Sequence, residues 1–228
     1  MLKFLKNLFS NENKKREGTA NFKTSIVINS AVNPARKLLK EATKLKREKK
    51  YIEACEKLNE AYSSKGANEL MTKERLRLPM YLQLAGKNDE GWKILNELNV
   101  KYLDVFSQAE IANQMRIFLQ KEKKFKNAAL FAIWSICKEV ERDRDNLKNG
   151  ISKKEPANKI FQDRIKHNIS IEGVRARVSS LLKRSKMENE LDHLTHSISE
   201  YLISCRKYDL AQVRDILYKG GTIEDNFV

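Results

Sequence analysis

Apolar and small residues return to one helical face at a spacing of 37 residues along much of this chain. In the stretch Lys50 to Leu58 a lysine is followed by an aromatic at Tyr51, a small residue at Ala54 and a leucine at Leu58. One step further on stand Lys87, Asn88, Gly91 and Leu95, and a second step reaches Lys124, Phe125, Ala128 and Ala132. The same step joins Leu45, Leu82 and Leu119 upstream. Apolar residues three and four apart mark amphipathic helices, and a small residue among them marks a close approach of two helices. Recurrence at a period between about 20 and 50 residues predicts stacked supersecondary units.

The first predicted hairpin opens at Asn33-Pro34, where Asn serves as a cap and Pro suits the first helical turn. Its inner face carries Leu38, Ala42 and Leu45, and its second helix presents Tyr51, Ala54, Leu58 and Ala61. A second unit, Thr72 to Tyr102, places Leu78, Leu82, Gly91, Leu95 and Leu98 in the corresponding positions, with Trp92 beside the glycine. Pro79 interrupts its first helix and predicts a kink, because proline removes a backbone donor. The third unit, Ala109 to Val140, supplies Met115, Leu119, Phe125, Ala128 and Ala132, with Arg116 where a small residue belongs. These hairpins occupy 34–144, after an N-terminal segment and linker over 1–33. The region 145–228 opens with a polar break from Asp145 to Pro156. It continues with helices over 157–167 and 171–184, the latter with Val174, Val178, Leu181 and Leu182 inside, and ends in a helical pair over 192–218. In that pair Tyr208, Ala211 and Leu217 echo the second-helix pattern, so it is expected to cap the array.

Over residues 34–140 these positions resemble the tetratricopeptide repeat, although the period exceeds that family's ~34 residues. The resemblance implies an all-α fold, a right-handed stack of antiparallel helix pairs (an α-solenoid) with a C-terminal helical extension. It further implies that the first helices line a concave partner-binding face. By register that face would carry Arg36, Lys40, Thr43 and Arg47, then Lys73, Arg77, Met80 and Gln83, then Asn113, Gln114, Ile117 and Gln120. Its first two units are cationic and its third is amide-rich, which suits a peptide or protein partner with acidic side chains. The clamp that some members use for a C-terminal carboxylate is not expected, since Leu39, Thr43 and Glu110 stand where it requires Lys, Asn and Lys. The function expected is that of a non-enzymatic adaptor.

Charge adds an alternative. The chain carries 45 basic and 30 acidic residues, a formal +15, spread along its length. Its densest basic run, Arg175, Arg177, Lys183, Arg184 and Lys186, would meet phosphates if the ligand were nucleic acid. A solvated helix face is the favoured account of such a run, and Trp92 and Trp134 are expected on core faces rather than as stacking platforms. A third surface is the segment 1–10, where Leu2, Phe4, Leu5, Leu8 and Phe9 share one side. It matches a helix that docks on a membrane surface or a partner, with packing on its own domain the favoured reading.

Chemistry sought in the sequence is sparse. There is no Gly-rich phosphate loop, Gly-x-Ser-x-Gly elbow or His-Glu-x-x-His, so no catalytic residue is predicted. His193 and His196 lie three apart with Cys205 beyond them, which does not define a metal site, and neither metal nor cofactor is expected. Cys55, Cys137 and Cys205 are odd in number and widely spaced, and no apolar run approaches a membrane span. A cytoplasmic protein with reduced thiols is the expectation.

Overall fold

The computed structural model describes residues 33–149 and 155–218, with backbone alone for 155–157. The regular structure there is entirely helical: α1 (Pro34–Arg47), α2 (Tyr51–Ser63), α3 (Thr72–Arg75), α4 (Arg77–Leu84), α5 (Asn88–Lys101) and α6 (Val105–Lys121). Then follow α7 (Phe125–Lys148), α8 (Glu155–Ile169), α9 (Ile171–Arg184), α10 (Leu191–Ser204) and α11 (Leu210–Tyr218). The N-terminal apolar segment, its linker and the last ten residues lie outside the described residues.

The period of 37 is built into the turns. Lys49, Gly86 and Lys123 adopt positive φ angles of 61°, 78° and 61°, a left-handed C-terminal turn that reverses the chain after one helix and starts the next. In each, a backbone N–H reaches back five residues: Lys50 to the Leu45 carbonyl (3.0 Å), Lys87 to Leu82 (2.9 Å) and Lys124 to Leu119 (3.0 Å). The lysines and leucines linked by the sequence pattern are therefore opposite ends of one recurrent hydrogen bond. A fourth copy, at Lys186 with φ 62°, closes α9 through Met187 N–H to Leu182 (2.9 Å).

Packing follows the turns. Helix α1 packs on α2, α4 on α5 and α6 on α7, while α2 also meets α4. Ala54 and Ala128 are fully buried and Gly91 is buried. A β-carbon at Gly91 would lie 3.0 Å from the Pro79 carbonyl and 3.0 Å from the Phe118 ring, so α4 and α5 approach closely enough that any side chain there would force its neighbours to shift. The predicted kink takes the form of a break at Leu76 between α3 and α4. Without its N–H, Pro79 cannot serve the Arg75 carbonyl four residues back. The Tyr62 hydroxyl donates instead, 3.2 Å to Arg75 and 2.8 Å to Glu74.

The polar break predicted from Asp145 begins later, because α7 runs through that residue to Lys148. Every residue from Ala128 to Cys137 is buried, as expected of a helix surrounded by others, and α8, α9 and α11 all pack on α7. Asp143, wholly buried on α7, accepts both an Nε–H (2.8 Å) and an Nη–H from Arg164 of α8, with Arg142 Nε at 3.3 Å. The corner into α9 is tight: a β-carbon at Gly173 would collide with the His167 carbonyl at 1.9 Å. In the last helical pair Tyr208 and Leu217 are buried as predicted, but Ala211 is exposed and Val213 takes the inward position. Two apolar clusters result. One joins α1 and α2 to Leu78, Tyr81 and Leu82, and the other runs from Leu76 and Leu95 through α6 and α7 to Leu217.

Candidate functional site

The twelve first-helix residues selected by register lie on α1, α3, α4 and α6, and contacts between these helices recur at nearly constant sequence spacing. Arg77 Nη1 donates to Thr43 Oγ1 (3.4 Å), whose own hydroxyl donates to the Leu39 carbonyl (2.8 Å). Thr72 and Ser107 share a buried hydrogen bond of 2.7 Å, and Gln83 Nε2 donates 2.9 Å to the Phe118 carbonyl. Arg36 forms an ion pair with Glu74 (3.6 Å) and also donates to the Glu69 carbonyl (3.4 Å). Glu74 itself is buried and accepts from the Met71 N–H (2.9 Å), so Arg36 neutralises a carboxylate that already caps α3.

Lys73, Arg77 and Met80 come together with Asn113 and Gln114 around a cavity of about 190 Å³. Leu76 and Glu110 complete its wall and were not among the selected residues. Glu110 stands three and four residues before Asn113 and Gln114, so helical spacing alone assigns it to their face. Gln114 Nε2 is buried without a protein hydrogen-bond partner. Arg116, where a small residue was expected, lies along the surface of α6 and donates to Asn113 Oδ1 (2.9 and 3.1 Å) and Gln120 Oε1 (3.1 Å). Burial, with the neighbouring Arg177 charge, holds its pKa below the usual arginine range. The carbonyl oxygens of Asn113 and Gln120, though not Gln114, are therefore already engaged by a cation of their own helix. Lys40, Arg47 and Lys73 are exposed, and none has an ion-pair partner among the described residues.

The C-terminal basic run is divided among different neighbours. Arg175 binds Asp192 (2.6 Å), Arg177 binds Glu139 (2.7 Å) and Lys183 binds Glu188 (3.4 Å). Arg184 stacks over Phe125 at 5.2 Å, and Lys186 occupies the left-handed turn. Trp134 is buried, and Trp92 is half-buried between Phe118 (5.7 Å) and Phe131 (6.2 Å).

His193 and His196 are both exposed, and among the described residues no three His, Cys, Asp or Glu side chains are placed to hold a metal ion. Burial pushes the Cys55 thiol up to about 11 and the Cys137 thiol higher still, so neither reacts readily as a thiolate near neutral pH. Among the described residues no helix is long and apolar enough to cross a membrane. The chain matches no family model, and no curated protein or solved structure is found to be similar to it.

Proposed function

We propose that this chain is a non-enzymatic adaptor of tetratricopeptide-like architecture, a right-handed stack of antiparallel helix pairs that binds an acidic protein or peptide along its first helices. The observation that carries this reading is the cavity shared by Lys73, Arg77, Met80, Asn113 and Gln114, which come from two successive units 37 residues apart in register. The recurrent left-handed turns support the stack, because equal turns and equal spacing orient successive helix pairs alike. Among the described residues Lys40, Arg47 and Lys73 supply cations not committed to carboxylates, and Gln114 on the cavity wall carries an amide donor, its buried Nε2, without a protein partner. Arg36 contributes less free charge, since it already pairs with Glu74, whereas Arg77 donates only to the neutral Thr43 hydroxyl and keeps its charge.

The test replaces Lys40, Arg47 and Lys73 together by Ser in the full chain. Exposed substitutions of this kind shift stability by about half a kcal/mol each or less, so the melting temperature should hold nearly constant. Retention of proteins from a nuclease-treated lysate should fall sharply in the variant. Unchanged retention would overturn the reading. Bound material that disappears on nuclease treatment would instead favour a nucleic-acid ligand, whose binding would weaken steeply with salt.

A further inference from the structure

A second cavity, of about 720 Å³, lies between the C-terminal half of α7 and the loop joining α10 to α11. Its size falls within the ~300–1,000 Å³ of small-molecule sites. Lys138, Glu141, Asp145 and Lys148 recur along one face of α7 on its wall, a run of about 15 Å at 1.5 Å per residue. The internal contacts separate committed charges from free ones. Lys138 pairs with Glu141 (2.9 Å) and covers the Trp134 ring at 4.3 Å. Glu141 also accepts the Tyr208 N–H (2.9 Å), which pins the loop to α7. Arg144 donates to the Cys205 (2.9 Å) and Leu202 (3.3 Å) carbonyls at the end of α10 and stacks on Tyr208 at 5.5 Å. It thereby offsets the partial negative charge of that helix terminus.

What remains is a surplus of positive charge. Among the described residues, Lys148, Arg206 and Lys207 are exposed on the cavity wall without an ion pair, and Asp145 is the one carboxylate of the wall not already paired. Beside them stand apolar groups that solvent would not otherwise favour, Val105 and the 62% exposed Ile203. Cations next to an apolar wall suit an anion that carries a hydrophobic body, and arginine in particular matches the geometry of phosphate oxygens. We propose that this cavity binds a small organic phosphate, its phosphate group held by Arg206, Lys207 and Lys148 and its body laid against Val105 and Ile203. The site is distinct in residues and helices from the first-helix surface, and stands whether or not that surface binds a protein.

Cys205 provides the readout. It lines the cavity and is partly exposed, whereas Cys55 and Cys137 are buried, so a neutral alkylating reagent should modify Cys205 selectively. Phenyl phosphate at saturation should slow alkylation of Cys205 by iodoacetamide about tenfold in the full chain. Sodium sulfate at matched ionic strength and benzyl alcohol should each have far less effect. In the Arg206→Gln, Lys207→Gln double variant the protection should be lost, with calorimetric binding of phenyl phosphate lost in parallel and circular dichroism unchanged. Equal protection by sulfate would reduce the effect to screening and overturn the proposal. So would protection that persists in the double variant, or the absence of both protection and binding heat in the native chain.

Discussion

Gly91 and Pro79 form one device. Proline breaks the first helix of the second hairpin, glycine lets the second helix close on the Pro79 carbonyl, and Tyr62 from the preceding hairpin donates to the Glu74 and Arg75 carbonyls, the latter left without the Pro79 N–H. Burial raises the pKa of that hydroxyl despite the nearby Arg77 and Arg75 charges, so it stays protonated and able to donate. Replacing Gly91 by Leu forces a large side chain into a space where a β-carbon already meets backbone at 3.0 Å. Overpacking of this kind costs about 1–3 kcal/mol. Thermal unfolding of the variant should move down by about 2–4 °C for each kcal/mol lost in a chain of this size. A variant that melts with the native protein would mean that α4 and α5 do not meet at Gly91.

Among elements, α6 is held at both ends by devices of different chemistry. Its C-terminus closes on the left-handed Lys123 turn, and its N-terminus is capped by Asp104, whose carboxylate accepts the Ser107 N–H at 2.9 Å. Burial acts to raise the Asp104 pKa, but the hydrogen bonds from Ser107 prevail and hold it below the usual carboxylate value. Because the folded pKa is the lower one, the cap stabilises fully above the unfolded value of about 4 and is lost as pH falls through the folded value. Asp104→Ala should cost about 1 kcal/mol at pH 7, the ordinary worth of a cap. Denaturant titrations should show the gap between variant and native protein narrowing below about pH 4, and a gap that stays constant into acid would exclude the carboxylate as its source. Ser107 also bonds Thr72, so the cap sits at the joint between the second and third hairpins.

At the scale of the whole described fold, the division into two apolar clusters predicts uneven stability. Leu58 is fully buried in the first cluster and Ile198 in the second. Truncating either to Ala removes buried methyl groups and leaves a cavity, at about 2–5 kcal/mol. In arrays whose units contact mainly their neighbours, such damage stays local. Native-state hydrogen exchange should therefore quicken in α1 and α2 for Leu58→Ala and in α9 and α10 for Ile198→Ala, each leaving the other region nearly as slow as before. Equal acceleration throughout would show a single cooperative core, linked through the Thr72–Ser107 and Gln83–Phe118 contacts.

The helical class, the starts of the three second helices and the leucine–lysine step were legible because they are local. Helical periodicity and the turn that reverses the chain depend on residues a few positions apart, and that turn recurs at 37 residues wherever the sequence does. Much of the candidate site was legible for the same reason, since one helical face carries one stripe of residues. What the stripe could not reveal is which charges are free. Arg36 reads like Lys40 in sequence, yet Glu74 of another helix neutralises one and not the other. In the basic run of α9, Arg175, Arg177 and Lys183 are taken up in separate ion pairs by the same mechanism, and Ala211 turns outward while Val213 is buried. Helix identity is set by neighbours along the chain, whereas the state of a charge is set by neighbours in space, and those only the tertiary structure assigns.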